Sequence, residues 1–90
     1  MYKYLKDHII EELEGAENYW EKAIDYRDSE IGHIFKEMAN TELQHANALF
    51  KIFNNLNEQK SMSTLLEYYE EIVAAYDTIM RNIEELKKMY

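Results

Sequence analysis

The sequence predicts an all-α fold, an antiparallel helical hairpin followed by a third, C-terminal helix. Three observations predict it. The 90 residues contain no Pro and only two Gly, while Glu, Leu, Lys, Ala and Met are plentiful, a composition that favours long uninterrupted helices over sheets. Apolar residues recur at alternating steps of four and three in three separate segments. The breaks between those segments are short and polar. A chain of this length is one domain, residues 1–90, and one that buries only about 60% of the surface its unfolded form exposes. Self-association that buries more is therefore expected.

The first helix is expected over about 3–27. Its stripe runs Leu5, Ile9, Glu12, Ala16, Tyr19, Ala23, Tyr26, widened by Ile10, Leu13, Trp20 and Ile24. Arg27-Asp28-Ser29-Glu30 ends it, and Asp28 or Ser29 suits the N-cap of the next helix. The second helix, about 30–55, carries Ile31, Phe35, Met38, Glu42, His45, Leu49, Ile52 and Leu56 on its stripe. So short a connection makes these two helices an antiparallel pair. A looser polar stretch from Asn54 to Ser63 precedes the third helix, about 62–89, with Ser61 or Ser63 as its cap. Its stripe, Tyr69, Ile72, Tyr76, Ile79, Ile83, Leu86, Tyr90, is wholly apolar or aromatic.

Composition excludes several functions. Without Cys there is no disulfide, thiolate zinc site, iron–sulfur cluster, rubredoxin-type iron or thiol chemistry. A net charge of −8 argues against nucleic acid and suits a protein that attracts cations, although acidic solubility alone also accounts for it. No apolar run approaches the roughly 20 residues of a membrane span. The N-terminus begins a helical pattern rather than a signal peptide, so a cytoplasmic location is expected.

The informative residues are the polar ones on apolar stripes. The first helix has Glu12 there, and the second has Glu42 and His45 at i and i+3. A buried, unpaired carboxylate is costly, and it finds a partner, changes its protonation or binds a metal. In an antiparallel pair turning near residue 27, Glu12 and Glu42 lie level and His45 one turn further along, so the three should converge. Two carboxylate-bridged irons need hard oxygen donors and an imidazole on each metal. Helix bundles supply them as one Glu from each of two helices and a Glu-x-x-His from each of two others. This chain has one Glu, Glu12, and one Glu-x-x-His, Glu42-Leu43-Gln44-His45. The third helix has no carboxylate on its stripe. The inventory is half a site, which a two-fold axis would double. The competing reading is a Glu–His pair inside an inert bundle.

With these residues the chain resembles the ferritin-like superfamily, through the rubrerythrin-type pattern of a Glu followed, about thirty residues on, by Glu-x-x-His. Within it the chain is most similar to the encapsulated ferritins, across Ile10-Glu11-Glu12-Leu13-Glu14-Gly15-Ala16-Glu17-Asn18-Tyr19 and the run from Met38 to Leu49. The resemblance implies a ferritin-like four-helix bundle completed across a homodimer interface, with a pair of irons per dimer held by Glu12, Glu42 and His45 of both subunits. It makes Tyr19 a hydrogen-bonding neighbour of the metals, and Glu11 and Glu14 an outer, weaker metal site on the access route. Asn18 stands where those proteins tend to have an aromatic residue. The implied activity is a ferroxidase, oxidising Fe(II) to Fe(III) with O2 or H2O2 for iron storage or detoxification. The implied assembly is annular, with an encapsulin shell as a partner and an encapsulin nanocompartment as a location.

Two alternatives stay open. One is a rubrerythrin-like peroxide reductase on the same site, dependent on an electron-donating partner. The other is a non-catalytic helical interaction module. Manganese and zinc also accept these ligands. His8, one turn before Glu12, is within reach of the site, though an edge histidine is the commoner case. His33 is expected in solvent, and the Met residues are expected to fill core and interface.

Overall fold

A computed structural model describes residues 1–90. It is all-helical: α1 spans Tyr2–Asp25, α2 Glu30–Asn55 and α3 Met62–Met89. The Cα positions fill 49 × 18 × 14 Å, a rod whose thickness is that of two packed helices about 9 Å apart. No helix is long and apolar enough to cross a membrane.

The α1–α2 turn is built by three residues. Tyr26 caps α1, its N–H donating to the Lys22 carbonyl, so the helix ends at Asp25 rather than near residue 27. Asp28 takes a left-handed φ of 67°, which Asp tolerates better than most residues. Ser29 is the N-cap of α2, its hydroxyl accepting from the Gly32 N–H at 3.2 Å. Gly32 is required here: a Cβ would stand 2.3 Å from the Tyr26 carbonyl oxygen. At the far end, Ser61 caps α3 by accepting from the Thr64 N–H at 3.3 Å.

α1 packs closely on both other helices. Against α2 the contact is a column of small residues, Gly32, Ala39 and Ala46, ending in Phe53, all buried. α1 meets it with Tyr2, Ile9, Ala16 and Ala23, while Leu5, Leu13 and Trp20 complete its buried face. Both columns repeat every seven residues, the spacing that lets helices stay in contact along their length. α3 contributes Ile72, Ile79 and Ile83. Lys6 ties α1 to α3 by pairing with Glu71 at 3.1 Å and lying over the Tyr68 ring. α2 and α3 meet through long side chains: Tyr76 OH donates to Asn47 Oδ1 at 2.8 Å, and Phe50 packs on both Tyr69 and Tyr76.

The buried seam is therefore displaced from the stripe expected on α2. Ile31, Met38, His45 and Ile52 are exposed, and so is Ile34. On α1, Leu13 and Trp20 are buried, while Glu12 and Tyr19 sit at the seam's edge and Tyr26 is exposed. The cause is that two apolar faces coexist on α2. The small-residue face admits α1 at close range, which leaves the face of larger residues without a partner in this chain. Only 14 of 90 residues are buried and none of them is charged, so much apolar surface remains uncovered.

Candidate metal centre

Glu12, Glu42 and His45 come together at mid-length of α1 and α2, each offering a ligand atom within 4.8 Å of the others. His45 Nδ1 lies 3.6 Å from Glu12 Oε2. Glu42 reaches across to α1 at Gly15, where a Cβ would stand 3.0 Å from its Oε2. Glu12 thus faces His45, and Glu42 lies against both Glu12 and the glycine three residues on. The two helices pair Tyr2 with Phe53 at one end and Ala23 with Gly32 at the other, so Glu12 and Glu42 stand level to within one residue, as a turn near residue 27 implies.

The three groups differ in exposure. The Glu12 side chain is 16% exposed and that of His45 is 56% exposed, while Glu42 is half-buried. His45 is therefore not a core residue, as its stripe suggested, but stands at the open side of the site. Glu12 Oε2 is shielded from solvent and has no hydrogen-bond partner. The Glu42 carboxyl is pushed up to about 7, first by its hydrogen-bonding approach to Glu12, then by burial, then by the charge of Glu12; His45 and His8 oppose the rise. Two carboxylates at such range cannot both ionise without cost unless a cation lies between them. An orphaned oxygen, a mutually repelling carboxylate pair and one imidazole fit a first-row divalent cation.

The other expected site residues are distributed around this group. Tyr19 lines a cleft with Ile34, Glu37, Met38, Thr41 and Glu42, its ring stacked on Phe35 at 6.1 Å. Its hydroxyl makes no hydrogen bond to the ligand group. Glu11 and Glu14 are exposed on the outer face of α1 and do not gather a third donor between them. Glu11 instead approaches His8 Nδ1 at 3.4 Å. His8 Nε2 lies 3.9 Å from Glu12 Oε1, and His8 lines a second cleft with Glu12, His45, Ala48 and Leu49. His33 is exposed, with its Nδ1 3.1 Å from the Tyr90 hydroxyl. The sequence signal for this notch is a glycine in mid-helix, Gly15, opposite a Glu-x-x-His.

The rubrerythrin family model matches residues 3–90, nearly the whole chain. The chain belongs to the rubrerythrin family. No curated protein and no solved structure matches it. Membership places this rubrerythrin-family chain in the ferritin-like superfamily and points to a diiron-type protein. Rubrerythrin-type domains typically bind iron, and the Glu12, Glu42 and His45 group could hold it.

Proposed function

We propose that this chain is half of a ferroxidase, in which two copies bring their Glu12, Glu42 and His45 groups together around a pair of irons. The observation that carries this reading is the position of the ligand group. It opens onto an apolar helix face that nothing in the chain covers. Ile34, Met38, His45 and Ile52 are all exposed on α2 at intervals of four and seven residues, so the half-exposed imidazole sits in the middle of the stripe. Covering that stripe with its symmetry mate would bury apolar surface, desolvate the site and double the donor set. A second exposed stripe, Met62, Leu66, Tyr69 and Val73 on α3, offers a contact between dimers in an annular assembly.

Chemically, each Fe(II) loses one electron, and O2 or H2O2 takes up electrons and protons in equal number to leave water. The chain's own groups bind and orient. Glu12 and Glu42 supply the hard anionic oxygens that favour the ferric product, and Glu42 can give up its proton as a cation enters. His45 contributes a neutral nitrogen from the solvent side. Tyr19, its ring stacked on Phe35, walls the Glu42 side of the cleft. Iron storage or detoxification, inside or outside an encapsulin shell, is the corresponding role.

Solution mass and metal content recorded together, before and after adding Fe(II), test the proposal. It requires a dimer or larger assembly and close to one iron per chain, with dioxygen consumed. A chain that stays monomeric with and without iron would overturn it, as would Glu12→Ala or His45→Ala retaining full Fe(II) oxidation. Membership of the rubrerythrin family favours one second reading, a peroxide reductase on the same site. Peroxide consumption with little ferric mineral, sustained by an added electron donor, would select it.

A further inference from the structure

Glu12 has an imidazole against each of its oxygens. Oε2 faces His45 Nδ1 at 3.6 Å, and Oε1 faces His8 Nε2 at 3.9 Å. Both separations lie within the roughly 4.2 Å that two metal–ligand bonds of about 2.1 Å can span. The other ring nitrogen of His8 also faces a carboxylate. Its Nδ1 lies 3.4 Å from Glu11 Oε2, close enough to favour hydrogen on that nitrogen once Nε2 binds a cation. Its ring stacks on Tyr4, with centroids 5.3 Å apart and planes 15° from parallel. With hydrogen on Nδ1, the Nε2 lone pair confronts the Glu12 oxygen, an arrangement that a cation makes favourable.

We propose that each chain offers a second cation position on the outer edge of Glu12, held by Glu12 Oε1 and His8 Nε2, so that the Glu12 carboxylate bridges two first-row divalent cations. The inner position keeps Glu42 and His45. This rests on Glu12, Glu42 and His45 being ligands, and it adds a role for His8 and an orienting role for Glu11. The outer position has only two protein donors and completes its shell with water, so it is the weaker of the two. Spacing alone explains much of this geometry, since His8 stands at i−3 and i−4 from Glu11 and Glu12, where helical side chains meet. What exceeds an ordinary surface pair is that both ring nitrogens face carboxylates at once, inside the cleft that His45 also lines.

Cobalt(II) is the probe, followed by equilibrium dialysis and by its ligand-field absorption in wild type, His8→Ala, His8→Gln and His45→Ala. The His8 side chain is 40% exposed, so its replacements keep the fold, which far-UV circular dichroism checks. Wild type is expected to take one tight cobalt ion per chain, at the inner position that iron would occupy, and a second, weaker one only as free cobalt is raised. Both His8 variants should lose the weaker ion and retain the tighter one, while His45→Ala loses the tighter. Unchanged stoichiometry and spectra in the His8 variants would overturn the second position and leave the ferroxidase proposal standing. Loss of all cobalt in them would also overturn it, by placing His8 on the same ion as His45. A wild type that binds no cobalt would sink both.

Discussion

Gly15 on α1 provides the space into which the Glu42 carboxylate of α2 reaches: a methyl group at residue 15 would stand 3.0 Å from Glu42 Oε2. A glycine inside a helix costs about 1 kcal/mol relative to alanine, so the position trades helix stability for the placement of a ligand. Because the opposing atom is the tip of a flexible side chain, Glu42 can retreat by a few tenths of an ångström at little cost. Gly15→Ala should therefore raise the stability of the metal-free chain by up to about 1 kcal/mol and lower metal affinity by about fivefold. Urea unfolding and cobalt titration of the same samples check both signs. Unchanged affinity would show that the notch has no part in placing Glu42.

The raised Glu42 pKa gives two pH dependences of opposite sense. A cation must displace the Glu42 proton below about pH 7, so metal affinity should fall by up to about tenfold per unit below that point and level off above it. Calorimetry in buffers of different ionisation enthalpy should register about one proton released per cation at pH 6 and fewer at pH 8. For the metal-free fold the sign is reversed. The folded carboxyl holds its proton up to about 7 against an ordinary value of 4.5, so its stabilising contribution is present below 4.5 and is lost as pH rises through 7. Glu42→Gln should flatten the stability profile between those values, followed by the fluorescence of Trp20, the chain's one tryptophan.

Much of the helix order was legible because period and breaks agreed: the stripes identified α1, α2 and α3, and the caps fell within the pairs Asp28 or Ser29 and Ser61 or Ser63, of which Ser29 and Ser61 are used. The face on which α2 packs was not. Ile31, Met38 and Ile52 outweigh Gly32, Ala39 and Ala46 in any hydrophobicity pattern, yet close approach to α1 selects the small residues. Hydrophobicity marks which surfaces will be covered, but it does not say whether by the same chain. The grouping of Glu12, Glu42 and His45 was legible for a related reason. Glu12, Glu42 and His45 interrupt apolar stripes, and a carboxylate there needs a chemical partner. His8 and Gly15 were harder to read, since one looks like a surface histidine and the other like a weak point in a helix until the facing atoms are known.

Gly32 tests the turn that sets this register. A Cβ there would meet backbone, the Tyr26 carbonyl oxygen at 2.3 Å and its carbon at 2.9 Å, and neither can move without shifting the end of α1. Gly32→Ala should destabilise the chain by about 2 kcal/mol or more despite alanine's better helix propensity. The opposite sign of effect expected at Gly15 makes the pair a control for each other. A urea midpoint at or above wild type would show that α2 can start in another register, and cobalt binding should then change as well.

The exposed stripe on α2 should be separable from folding. Ile34 and Ile52 are 50% and 51% exposed and lie on either side of His45 in sequence, so neither supports the core of its own chain. Replacing both by Glu should leave helical content intact while halving the solution mass, since two carboxylates per copy would have to be buried against their own symmetry mates. Iron oxidation should fall with the dimer even though Glu12, Glu42 and His45 are untouched. Sedimentation at rising protein concentration distinguishes the outcomes. A double variant that remains dimeric and oxidises iron normally would place the second copy on another surface, with the Met62, Leu66, Tyr69 and Val73 stripe of α3 next in line.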